Sequence, residues 1–116
     1  MDNDTLQALE NRINDYVEAR EWDEFHTPKN LAMAINAEAG ELAGYLQWVN
    51  NSSVYNDELL QHRIQSEVAD ILIYLIRFAG KCQFDLIEAA NCKINSIDER
   101  YPVDLSKGNA IKSGDL

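Results

Sequence analysis

Apolar residues recur at helical spacing in four stretches of this chain, separated by short polar segments. Leu6, Leu9, Ile13, Tyr16 and Val17 predict a first helix over residues 5–20, with Asp4 as its N-cap. The stretch TPKNLAMAINAEAGELAGYLQW, residues 27–48, predicts a second. Thr27 can accept a hydrogen bond from a free backbone N–H, and Pro28 suits the first helical position. The polar segment NNSSVYN (50–56) reads as a loop, with Asn56 or Asp57 capping a third helix from about Glu58 to Lys81. Asp85 and Glu88 form a capping-box pattern that opens a fourth helix, and Pro102 stops it. The expected fold is all-α, a four-helix bundle.

Two helices carry acids where apolar residues belong. On the second, Leu31, Ala34, Ile35, Leu42 and Tyr45 fall on one stripe, and Glu38 and Glu41 fall on it too. On the third, Ile64, Ile71, Tyr74 and Phe78 share a face, with Glu67 at its centre and Asp70 on its flank. A buried carboxylate without a partner costs several kcal/mol, so these groups need a cation. Residues three apart are neighbours on a helix, so E-x-x-E at 38–41 and E-x-x-D at 67–70 can each grip one ion. Four oxygen-ligand residues with no inward basic residue describe a site for Mg²⁺ or Mn²⁺. A lone E-x-x-E is usually a solvated face; two pairs inside apolar stripes favour metal.

The middle of the third helix, VADILIYLIRFA, is apolar nearly all round. Leu72, Ile73, Leu75 and Ile76 require cover on more sides than a short chain provides, which predicts a homo-oligomer. Arg77, interrupting this run, should reach an acidic partner across the interface or lie near phosphates. The connection REWDEFHTPKN holds Trp22, Phe25 and His26, where small polar residues are usual. Trp22 and Phe25 either plug the bundle end or form a stacking wall for a flat ligand such as a nucleobase. Lys93, on the apolar side of the fourth helix, can snorkel to water or point at a phosphate. Residues 1–102 read as one helical domain and 103–116 as a flexible C-terminal tail.

At 116 residues and 46% apolar, the chain suits one globular domain. Its net charge of −10 argues against nucleic-acid polymers and anionic membranes as partners. A small anionic substrate stays possible when metal ions supply positive charge. Val68–Ala79, the longest apolar run, is too short to span a bilayer and is broken by Asp70 and Arg77. Cys82 and Cys92 form no C-x-x-C pattern and no signal peptide is evident, so a cytoplasmic protein with reduced thiols is expected.

EAGE at 38–41 and EVAD at 67–70, together with WDEFHTPKNLAMAINAEAGELAGYLQW, EVADILIYL and RYP, resemble the MazG-like, all-α nucleoside triphosphate pyrophosphohydrolases. Within that family the pattern is most similar to the dCTP pyrophosphatase branch. The resemblance implies Mg²⁺-dependent hydrolysis of a (deoxy)nucleoside triphosphate to the monophosphate and pyrophosphate, by a homotetramer. It implies metal ligation by Glu38, Glu41, Glu67 and Asp70, with catalysis at Glu38 and Glu41; one carboxylate can accept the proton of a metal-acidified water, and Glu38 is the expected base. It also implies a base and sugar pocket from Trp22, His26, Trp48 and Tyr74, and phosphate contacts from Lys93 and Arg100. Two positions depart from the branch: Ile13 replaces a base-reading histidine, and Ile97 replaces an asparagine.

Other readings compete. A dimeric dUTPase-like or phosphoribosyl-ATP pyrophosphohydrolase-like enzyme would share the acidic pairs, although the aromatic connection favours a base-reading pocket. A di-iron bundle needs E-x-x-H pairs, and neither His26 nor His62 lies three residues after a glutamate. A non-catalytic helical dimerisation module would need basic residues opposite the acidic pairs.

Overall fold

The computed structural model describes residues 5–116, and among them all regular structure is helical. The elements are α1 (Leu6–Ala19), a 3₁₀ turn (Asp23–Phe25), α2 (Pro28–Leu46), α3 (Asn51–Asn56), α4 (Glu58–Lys81), α5 (Leu86–Arg100), α6 (Val103–Ser106) and a second 3₁₀ turn (Ser113–Asp115). All four long helices expected from the apolar spacing are present. No helix among the described residues is long and apolar enough to cross a membrane.

Local chemistry sets the helix starts. The Thr27 hydroxyl accepts from Asn30 N at 3.2 Å, Asp57 from Leu60 N at 3.1 Å, and Asp85 from Glu88 N at 2.9 Å. The cap of α1 is Thr5, which accepts from Ala8 N at 3.1 Å; the expected cap, Asp4, lies outside the described residues. The segment expected as a loop at 50–56 winds instead into α3. Its polar face hid this short turn, which Gln61 ties to α4 by donating to the Val54 carbonyl. Helix ends use the left-handed region without glycine: Glu21, Trp48 and Gln83 have φ of 55°, 66° and 61°.

The chain divides into two compact units, one ending at Gln83 and one beginning at Phe84. In the first, α4 packs along α2 and also meets α1 and α3. Its core consists of Ile13 and Val17 from α1, Leu31 from α2, and Leu60, Ile76 and Ala79 from α4. The burial of Ile76 narrows the outward run of α4, which still exposes Val68, Leu72, Ile73 and Leu75 by 36–49% each. The second unit holds α5, with Ile87, Ile94 and Ile97 exposed, and the segment after Pro102. That segment forms α6 and a turn in which Asn109 bonds Leu105 O and Ile111 N, both at 3.0 Å.

Candidate metal centre and pocket

The packing of α2 on α4 brings three carboxylates together. Glu38 of α2 and Glu67 and Asp70 of α4 offer oxygens that all lie within 4.8 Å of one another. Glu67 is buried at 7% exposure, as its place in the apolar stripe predicts, while Glu38 and Asp70 are half-buried. Glu41 differs from expectation: it is exposed and stands outside the trio. At 100° per residue it falls on the edge of the stripe that Leu31, Ile35, Glu38 and Leu42 centre, and α4 covers only the centre. Its carboxyl still reaches Glu67 closely enough to affect its proton affinity.

Electrostatically, this centre is uncompensated. A hydrogen bond to Glu38, then burial, then Glu41 push the Glu67 carboxyl up from 4.5 to about 7. One of its oxygens, Oε2, is buried with no hydrogen-bond partner. Among the described residues, the ion pairs are Arg77–Asp23 and Lys81–Asp23, and neither touches the trio. Arg63, one turn before Glu67, places its guanidinium over the Tyr45 ring at 5.4 Å instead. A buried carboxylate oxygen without a donor, in an all-oxygen set with no cationic neighbour, fits a hard divalent ion.

A pocket of about 310 Å³ adjoins this centre and shares Asp70 with it. Ile13, Tyr16, Val17, Trp22, His26, Ile73, Tyr74 and Arg77 complete its wall. Three of the four residues expected around a base and sugar, Trp22, His26 and Tyr74, are thus brought together. The fourth is not: Trp48 is 93% exposed and lines no part of it. Trp48 follows the end of α2 in the left-handed region, a costly conformation for a bulky side chain. Trp22 packs edge-on to Tyr16 at 5.8 Å, and Arg20 stacks over Tyr16 at 3.5 Å. Phe25 is 61% exposed, so it does not plug the bundle. Ile13 gives this wall an apolar surface.

Arg77, expected to meet an acid across an interface or to lie near phosphates, meets an acid of its own chain and lines the pocket. It is buried and inward-facing, and its partners belong to its own chain. Its Nη2 donates to Asp23 Oδ1 at 2.9 Å, Nη1 to Asn14 Oδ1 at 3.2 Å, and Nε to His26 Nδ1 at 3.2 Å. The bundle does hold an inward basic residue, but this cluster occupies it. The signal was available: a charge inside an apolar run, with Asp23 in the aromatic connection as a candidate partner. Lys93 and Arg100 lie on α5 in the second unit, both exposed, with Arg100 set 5.9 Å from the Tyr101 ring centre.

No protein-family model matches the chain. Curated relatives do. Bovine (Bos taurus) dCTP pyrophosphatase 1 is 37% identical over 97% of this chain and 68% of its own length. The Homo sapiens dCTP pyrophosphatase 1 is 31% identical with the same coverage. Among solved structures, a pyrophosphatase from Archaeoglobus fulgidus superposes with a TM-score of 0.76 at 31% identity, covering 84% of this chain and 92% of that one. These identities, spread over nearly the whole chain and joined to a shared helical fold, make the protein a member of the dCTP pyrophosphatase family of MazG-like, all-α hydrolases.

Proposed function

We propose that the protein hydrolyses a (deoxy)nucleoside triphosphate, dCTP or another dNTP, to the monophosphate and pyrophosphate, as part of cleansing the nucleotide pool. The observation that carries this reading is Asp70, which belongs to the carboxylate trio and to the wall of an aromatic pocket. A nucleoside in that pocket has its phosphates directed toward the acidic centre. Glu38, Glu67 and Asp70, with Glu41 at the edge, are the residues that would hold Mg²⁺, or Mn²⁺ in its place. When bound, the metal neutralises the triphosphate, orients in-line attack and acidifies water.

The chain's own groups do the rest. Trp22 and Tyr74 hold the base and sugar, and Ile13 packs against the ring without reading its edge. A Glu38 carboxylate oxygen accepts the proton of the attacking water. Lys93 and Arg100 of α5 contact the phosphates. Trp48, projecting from its own chain, closes the pocket of a neighbouring subunit. That role requires a homo-oligomer, a tetramer in our reading, and the uncovered Leu72, Ile73 and Leu75 supply an apolar surface for it. In this reading residues 1–102 form the helical catalytic domain and 103–116 a C-terminal tail, in a cytoplasmic enzyme.

Pyrophosphate release from each of the four dNTPs and from dUTP, with Mg²⁺ and with EDTA, tests this reading. Release from dCTP or another dNTP only with Mg²⁺ is the expected result. Release from dUTP alone would move the protein to a dUTPase-like activity, and no release from any nucleotide would refute the proposal.

A further inference from the structure

Arg77 makes an unusual demand on its neighbour in the pocket wall. A guanidinium offers donors only and keeps its proton in proteins. The ring atom of His26 that meets Arg77 Nε at 3.2 Å must therefore be a bare nitrogen. A flipped ring would put carbon there, and an imidazolium would set N–H against N–H. Neutral imidazole carries one proton, which leaves it on Nε2. The rest of the cluster keeps this arrangement rigid. Asp23 and Asn14 take the other two guanidinium nitrogens, and Lys81 Nζ holds Asp23 from the far side at 3.1 and 3.2 Å. Burial, followed by the charge of Arg77, also holds His26 below its ordinary proton affinity. Nε2 makes no hydrogen bond to any described residue, so its N–H is available to a ligand.

We propose that Arg77 is a positioning residue that locks His26 as the Nε2–H tautomer and makes this wall a hydrogen-bond donor for an acceptor atom of the nucleobase. A carbonyl oxygen or an unprotonated ring nitrogen meets that requirement; an amino group or a protonated ring nitrogen in the same place does not. With Ile13 of the same pocket offering no polar group, His26 becomes the base-reading group. The inference rests on the nucleotide reading of the pocket for its ligand, but the lock itself does not.

Long-range ¹H–¹⁵N correlation on the histidine-labelled wild-type protein at neutral pH reads the tautomer directly, with exposed His62 as the internal comparison. The expected spectrum has His26 protonated on Nε2 and bare on Nδ1. An Nδ1–H form, an imidazolium or an exchanging mixture would overturn the lock, whatever the protein hydrolyses. Kinetics with dCTP and Mg²⁺ test its consequence. In a folded Arg77→Met variant the tautomers should mix and KM should rise roughly 10-fold, with kcat changed far less. An unchanged KM would remove the positioning role. Should that variant fail to fold, the wild-type spectrum still decides the lock. A protein with the expected spectrum and no pyrophosphate release would instead refute the functional reading alone.

Discussion

Helix α4 buries two charged residues almost equally, Glu67 at 7% exposure and Arg77 at 8%, yet their surroundings are opposite. Arg77 has all three guanidinium nitrogens engaged by Asp23, Asn14 and His26. Glu67 faces Glu38 and Asp70, with one oxygen lacking any partner. A buried charge persists when something compensates it. Protein groups compensate Arg77, so it reads as architecture. No ion pair of the described residues involves Glu67, and the acidic trio it belongs to could hold a divalent cation.

The sharpest way to break this comparison is to neutralise each charge in turn. Glu67→Gln and Asp70→Asn should lower kcat/KM by at least about 100-fold, equivalent to about 2.7 kcal/mol of transition-state stabilisation. Both should keep the fold, and Glu67→Gln should melt higher than wild type in EDTA. Arg77→Met should melt lower, because it strands the acceptors of Asn14 and His26; a loss of about 1–3 kcal/mol is expected. Full activity in either acidic variant would remove that residue from the metal centre. A stabilised Arg77→Met would mean the cluster around it is not structural.

Trp22→Ala sharpens the account at the pocket. Stacking on an aromatic is worth about 1–3 kcal/mol per base, so KM should rise roughly 5- to 150-fold. A circular-dichroism melt should accompany the kinetics, since Trp22 also packs on Tyr16. An unchanged KM would return Trp22 to a purely structural part.

These two regions differ also in how far the chain disclosed them. Glu67 was legible because a carboxylate at the centre of an apolar stripe conflicts with helical amphipathicity, and period alone reveals the conflict. The exposure of Glu41 was not legible, because a single-helix stripe has no edge until α4 defines one. The polar NNSSVYN segment hid α3 because a six-residue helix has too few turns to display periodicity. Arg77 was visible as an anomaly, but its partners lie 51 to 63 residues away in sequence, beyond any local pattern. Trp48 shows the converse: the residue type was read, but its exposure depends on a left-handed turn after α2 that no glycine announces.

A smaller effect follows from proton binding. With its carboxyl pushed up to about 7, Glu67 binds a proton more tightly in the folded than in the unfolded chain. Its contribution is fully present below about pH 4.5 and is lost as pH rises through 7. His26, shifted downward, contributes with the opposite sign near its ordinary value of 6.5. The informative quantity is therefore the difference in Tm between wild type and Glu67→Gln in EDTA. Wild type should fall behind the variant progressively from about pH 5 to 8. A constant difference would mean that Glu67 does not titrate in this range.

The central claim, that the unpartnered carboxylates of α2 and α4 are completed by a divalent cation, is tested most directly by melting curves at pH 8 in EDTA and in millimolar Mg²⁺. Binding to the folded state alone should raise Tm with Mg²⁺ concentration in the wild type, and far less in Glu67→Gln. Identical wild-type curves in EDTA and Mg²⁺ would contradict the account.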